Sequence, residues 1–195
     1  MAIRSLKSGT FSRSGLVGNP VIMPGSYESI ATVDVGSGGA SSVTFSSIPS
    51  TYTHLQIRAI AQTNRTTSAQ DSGKVVFNSD TGGSSYGSHF LTGDGASATA
   101  SNSISNAFMY IARFGTTNST NIFGTIVIDI LDYTNTNKYK TIRYLGATEQ
   151  NGSGYIELGS GLYSSSTSAI TNINIAPVTG TLWRQYSSFA LYGVN

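Results

Sequence analysis

The feature that most constrains the fold is a period-two pattern that runs from residue 28 to the C terminus. Short runs of alternating apolar and polar residues are separated by clusters of Gly, Ser, Asn and Asp. In the run 52–63, Leu55 and Ile57 fall on one face of an extended chain, whereas Gln56 falls on the other. Such alternation is typical of strands that bury one face in a core and leave the other in water or against a partner.

The runs predict ten or eleven β-strands joined by turns. They cover residues 28–35, 42–48, 52–63, 74–80, 89–93, 106–115, 121–133, 138–150, 155–163, 168–178 and 187–194. The polar segment from about Asp94 to Ser105 is predicted to be a loop. The sequence holds no window of helical period with a capping pair, and 22 Gly with 4 Pro suit many turns rather than long helices.

Many short strands in succession predict an all-β fold, an antiparallel β-sandwich. A jelly roll is the arrangement we expect for the two sheets, and a Greek-key sandwich of another topology is the alternative. The 195 residues suffice for one domain, which can bury roughly 70% of the unfolded surface. Because the chain has no Cys, disulfides and Cys-based zinc sites are excluded.

Residues 1–27 break this pattern and are predicted to form an extended N-terminal arm, with residues 28–195 as the sandwich domain. Pro20 and Pro24 bias the residues before them toward extended backbone, and nearby glycines oppose a helix. The arm is richer in large apolar residues than a disordered tail. We therefore expect it to dock on a neighbouring chain, the alternative being that it folds back onto its own sandwich. The predicted partner-binding residues are Arg4, Lys7, Phe11, Arg13, Leu16, Val17, Val21, Ile22 and Met23.

Charge is sparse and unevenly distributed. Charged residues make up 10% of the chain, against about 25% in average domains. Uncharged polar side chains are desolvated more cheaply than ions, so this composition suits close packing against neighbours, or else a secreted binding domain. Three of the eleven Lys and Arg residues lie in the arm, which leaves eight against nine Asp and Glu elsewhere. This is too sparse for nucleic-acid binding, and no signal peptide or membrane-spanning stretch is visible.

The residues that could support catalysis or metal binding do not form a recognisable motif. His54 and His89 have many Ser around them, and because Ser is so abundant a Ser/His/Asp combination drawn from either carries no weight. Asp129 and Asp132 are three apart, which puts them on opposite faces of a strand, and Asp132 is expected to order the following hairpin. We therefore predict no enzyme activity, no cofactor and no metal site.

Two weaker alternatives concern the loops and the aromatic residues. Asp80 and Asp94 lie near glycine-rich loops that could hold a cation, although no calcium-loop motif is present. Eleven Tyr, many near predicted strand ends or loops, could serve interfaces or stack on sugars. These tyrosines include Tyr52, Tyr86, Tyr133, Tyr139, Tyr163 and Tyr186.

Several segments resemble a group of small virion proteins of tailed bacteriophages. They are FSRSGLVGN, SIPSTYTHLQIRAIAQTNR, FNSDTGGSSYGSHFLTGDG, IDILDYTNTNKYKTIRYLGA and LWRQYSSFALYGV, which together span most of the chain. The resemblance implies a bacteriophage structural protein located in the virion, homo-oligomeric, without enzyme activity or cofactor.

Two placements in the virion are compatible with this resemblance. A head decoration, or cement, protein would form a homotrimer on the capsid and dock its arm onto neighbouring subunits, with the major capsid protein or other virion proteins as partners. A tail fibre or tail adaptor protein would instead present a sandwich that binds host surface glycans or a receptor. We expect the first, because seams between capsid subunits offer long tracks for an extended apolar arm.

Overall fold

A computed structural model describes residues 26–195, which form twelve β-strands and contain no helix. The strands are β1 Tyr27–Asp34, β2 Val43–Phe45, β3 His54–Thr63, β4 Gln70–Phe77, β5 Tyr86–Gly93, β6 Ala98–Asn106, β7 Met109–Thr116, β8 Gly124–Ile130, β9 Lys140–Glu149, β10 Gly154–Tyr163, β11 Ile173–Pro177 and β12 Ser188–Val194. The predicted all-β class is confirmed.

The strands form two layers. Sheet A has the order β1-β12-β3-β8-β9-β10-β5-β6, and every neighbouring pair is antiparallel. Sheet B has the order β2-β11-β4-β7, also antiparallel. The two sheets join where the last two residues of β3 pair in parallel with the end of β7. A jelly roll is not confirmed, because its eight strands form two Greek keys, whereas these sheets have eight and four strands.

The core lies between the two sheets, where β7 packs against β9 and β10. The predicted alternation in β3 is confirmed, since Leu55 and Ile57 are buried. Trp183 is fully buried, meets the rings of Phe114 and Phe189, and donates its indole N–H to the carbonyl of Ile175 at 3.1 Å. Burial of the large apolar side chains from both sheets in one cluster holds the layers together.

The prediction of a loop from Asp94 to Ser105 is wrong, because β6 occupies Ala98–Asn106. This strand, ATASNSISN, pairs with β5 at the edge of sheet A, and most of its residues are exposed. With neither face in the core, it carries no apolar alternation for a sequence pattern to detect. The predicted total of ten or eleven strands is too low for this reason.

The chain enters and leaves sheet A at the same corner. Strand β1 begins at Tyr27, the last residue of the predicted arm, and the ring of Tyr27 stacks on Tyr192 of β12 at 4.7 Å. The backbone N–H of Asn195 donates to the carbonyl of Ser26 at 3.1 Å. Residues that precede Ser26 therefore start from the edge of sheet A opposite to β6.

Candidate assembly surface

The outer face of sheet A carries a continuous row of apolar side chains. Val127, Leu145, Leu158 and Leu91 are direct cross-strand partners on β8, β9, β10 and β5. All four are exposed, and Leu145 and Leu158 keep 53% and 55% of their surface in solvent. Cβ atoms of direct partners lie about 5 Å apart, so these side chains form one contiguous surface.

A second row runs beside the first, two residues further along each strand. Ile60, Thr125, Ala147 and Ile156 are partners on β3, β8, β9 and β10. Residues of both rows line a shallow groove of about 360 Å³. We call the apolar members of the two rows the apolar stripe: Ile60, Leu91, Val127, Leu145, Ala147, Ile156 and Leu158.

Strand β10 presents its apolar residues to solvent and its small residues to the core. Leu158 is exposed, whereas Gly159 and Gly161 are buried. A Cβ atom at Gly159 would lie 2.2 Å from the Tyr144 ring, and one at Gly161 would lie 2.6 Å from the sulfur of Met109. Large neighbours thus fill the inner side of β10, and its leucines cannot exchange faces with its glycines. The packing of the inner side therefore keeps these leucines on the solvent side of β10.

Charged groups border the apolar stripe, and each contacts other side chains of the chain. Asp129 accepts from the Arg143 guanidinium at 2.9 Å and from the Gln56 amide at 2.8 Å. Arg58 donates to the Gln56 side-chain oxygen at 2.9 Å and lies over the ring of Tyr27, 5.3 Å from its centroid. Asp129 and Arg143 neutralise each other, whereas Arg58 keeps its positive charge next to Val127, at the β3 end of the row.

The carboxylates considered as a cation site each order their own loop. Asp80 accepts hydrogen bonds from the Ser165 hydroxyl, from the Gly82 N–H at 2.9 Å and from the Ser85 hydroxyl at 3.0 Å. These hydrogen bonds, the Ser165 contact first, lower the Asp80 pKa to about 2. Asp94 accepts from two backbone N–H groups of the turn that follows it. Residues 26–195 contain no group of three or more His, Asp or Glu side chains that could hold a metal ion.

The two histidines lie in different parts of the fold. His54 accepts the backbone N–H of Asp132 on its Nδ1 at 3.0 Å, just past the end of β8. The Asp132 carboxylate binds Lys138 across the turn, as expected for a hairpin-ordering residue, and this contact lowers its pKa. His89 is exposed on β5, opposite Ser160 and Asn102.

A cleft opens where sheet A extends beyond sheet B, on its inner face. It has a volume of about 250 Å³ and is lined by residues that include Phe90, Asn102, Tyr110, Arg113, Tyr144 and Glu157. Glu157 is only 4% exposed, and it accepts from the Arg113 N–H at 2.7 Å and the Thr92 hydroxyl at 3.1 Å. Burial raises the pKa of Tyr144, which is close to this carboxylate.

The sequence pattern does not predict the hydrogen bond between the Glu157 carboxylate and the backbone N–H of Arg113. The period-two pattern places Glu157 on the other face of β10 from Ile156 and Leu158. The apolar face of such a strand is normally assigned to the core. Only the glycines at 159 and 161, on the same face as Glu157, indicate in the sequence that this face meets large neighbours.

The tyrosines divide between the core and the surface. Tyr86, Tyr133 and Tyr163 are buried, whereas Tyr139 and Tyr186 are exposed. The Tyr86 hydroxyl accepts the Phe77 N–H at 3.0 Å, which anchors the start of β5 to the end of β4. The three buried tyrosines are therefore not available for stacking on a ligand.

The predicted arm residues lie outside the residues that the structure describes. They are Arg4, Lys7, Phe11, Arg13, Leu16, Val17, Val21, Ile22 and Met23. Their docking on a partner stays a prediction.

In the described part of the chain, no helix is long and apolar enough to cross a membrane. Comparison with known proteins does not identify a family. No protein-family model matches the chain, and no curated protein matches it.

Proposed function

We propose that this protein is a structural component of a tailed-bacteriophage virion that decorates the capsid, joining neighbouring subunits through protein–protein contacts. The observation that carries this proposal is the apolar stripe on the outer face of sheet A. Contiguous exposed apolar surfaces mark sites of protein interaction, and the packing of Gly159 against Tyr144 keeps this one exposed. The resemblance of the sequence to small phage virion proteins supports the virion as the assembly to which this surface contributes.

The charge distribution also supports an assembly role. The row from Val127 to Leu91 has no charged member, and the neighbouring Asp129 and Arg143 are paired with each other. Burying this row against a partner therefore removes water from apolar groups and leaves the one flanking charge, Arg58, at its β3 end.

The N-terminal arm extends the reach of each subunit. The chain leaves the described domain at Ser26, at one edge of sheet A. An extended segment of 25 residues spans at most about 80 to 90 Å, enough to cross a neighbouring subunit. We propose that Phe11, Leu16 and Ile22 are among its apolar anchors, and that the basic side chains pair with acidic groups of the major capsid protein or of other virion proteins.

Several weak arms acting together would hold each oligomer on the particle. Linked attachments make each further contact intramolecular, which raises the overall affinity without requiring one strong site. We propose a homo-oligomer, as the resemblance implies; the homotrimer expected for a head decoration protein and a smaller oligomer both gain from this effect.

Deletion of residues 2–25 tests the proposal. The truncated chain should keep its β circular dichroism and cooperative melting, because residues 26–195 bury a cluster of apolar side chains from both sheets. In co-sedimentation with virus particles stripped of this protein, the full chain should bind and the truncated chain should stay in the supernatant. Equal binding by both would contradict arm docking. Hundreds of copies per virion would support the head, whereas a handful would indicate the tail.

A tail fibre or adaptor protein that binds host glycans is the second candidate. The cleft under β5 and β6 favours it, because Phe90 and Tyr110 supply aromatic surface beside the planar side chains of Arg113 and Glu157. Aromatic faces beside planar polar groups suit the alternating apolar and hydroxyl surfaces of a sugar. Binding of the purified chain to a glycan array or to host cells, lost in Tyr110→Ala, would support this candidate over capsid decoration.

A further inference from the structure

We infer that the apolar stripe is a contact face between two copies of this chain. The inference rests on the proposed function only in requiring an assembling protein. It adds the partner, which is a second copy rather than the capsid. Three properties of the face support this occupant: its area, its charge and the fixed orientation of its side chains.

The area of the face matches what a stable pair requires. Sheet A has eight strands of seven to ten residues. With strands about 4.8 Å apart and a rise of about 3.3 Å per residue, its outer face measures about 34 Å by 25 Å, or roughly 850 Å². A standard protein–protein interface buries about 800 Å² on each partner. Two such faces, laid one on the other, therefore reach that size when the polar residues of the flanking strands β1, β12 and β6 surround the apolar stripe in the contact.

The charge of the face permits pairing with an identical surface. Two copies of a surface with a net charge repel each other at close range, which costs affinity. Here the centre of the stripe is uncharged, and Asp129 next to it is neutralised by Arg143 at 2.9 Å. Arg58 lies next to Val127 at the β3 end of the row, so a second copy brings a like charge to that end of the contact and not to its centre.

The side chains of the stripe are also held ready for contact. Strands β8, β9 and β10 are central strands paired on both sides, so Val127, Leu145 and Leu158 stand on a rigid support. Little backbone ordering is needed on association, which leaves more of the apolar contribution to binding. Two sheets packed face to face through such residues lie about 10 Å apart, as in a sandwich core.

The mass of the purified full chain in solution tests this inference. Sedimentation velocity over a wide range of concentrations should show a reversible species of twice the chain mass of 20.4 kDa. Leu158→Arg places a charge at the centre of the stripe and should yield only the single-chain mass. Thr44→Arg, an exposed strand position on sheet B, should leave the larger species unchanged. Leu158 is more than half exposed, so both variants should keep the circular dichroism of the parent, and Leu158→Ser replaces Leu158→Arg if it does not.

Each outcome decides the inference separately from the proposed function. A single-chain mass at all concentrations, or a larger species that Leu158→Arg leaves intact, would overturn it. A trimer without a two-chain species would also overturn it, because two identical faces laid one on the other join only two copies. Because these measurements use no virus particle, a negative result here does not change how the arm-deletion experiment is interpreted.

Discussion

The two faces of sheet A are made by alternate residues of the same strands, yet they serve different purposes. On β8, Ile126 and Ile128 point inward and are buried, whereas Val127 between them points outward and is exposed. Both faces are apolar at the centre of the sheet. The difference teaches that apolar character alone does not define the core of this protein, because the opposing layer covers only one face.

What separates the faces physically is the presence of sheet B. On the inner side, β7 packs over β9 and β10, so each inward side chain meets close neighbours. On the outer side, residues 26–195 supply no covering layer, and the stripe lies open. The inner face should therefore determine folding stability, and the outer face should determine association. Each of the two stability predictions below compares a residue of one face with a matched residue of the other.

The largest expected effect comes from truncating a buried residue of β8. Ile128→Ala should lower the free energy of unfolding by about 2 to 5 kcal/mol, because it removes apolar contacts and leaves a cavity. Val127→Ala, the adjacent exposed position, should lower it by less than about 1 kcal/mol. Urea unfolding followed by circular dichroism at low protein concentration would measure both. Similar losses for the two variants would contradict the assignment of the faces.

A smaller effect is expected from adding one methyl group to β10. Gly159→Ala should cost about 1 to 3 kcal/mol of unfolding free energy, since its Cβ would lie 2.2 Å from the Tyr144 ring and force that ring to shift. Gly87→Ala on β5 is the matched control, because the nearest atom to its Cβ is the Ser103 carbonyl oxygen at 3.9 Å. The same unfolding assay applies. An equal effect at both positions would mean that the inner side of β10 is not tightly filled.

The sequence predicts the inner face better than the outer one. In β3, the alternation of Leu55 and Ile57 with polar residues assigns the buried face correctly, because apolar side chains there do enter the core. In β10, the leucines face solvent and Glu157 is buried, so alternation alone would select the wrong face. Which face of a strand is covered depends on distant strands such as β7, and that information is absent from the local pattern.

The edges of the sheet and the arm show the same limitation. Strand β6 has no apolar alternation because neither of its faces is in the core, and only its pairing with β5 reveals it as a strand. The candidate assembly surface combines residues from five strands, Ile60 of β3 through Leu91 of β5. Their convergence depends on strand order, which a linear pattern does not contain.

The most direct test of the assembly surface is the accessibility of residue 158 before and after association. The chain has no Cys, so Leu158→Cys introduces a single thiol at the centre of the stripe. Maleimide labelling of this thiol should be fast in dilute solution and strongly slowed at concentrations where copies associate, whereas Thr44→Cys on sheet B should react at the same rate in both conditions. Equally fast labelling of residue 158 in the dilute and the associated protein would contradict the central claim that this face packs against a second copy.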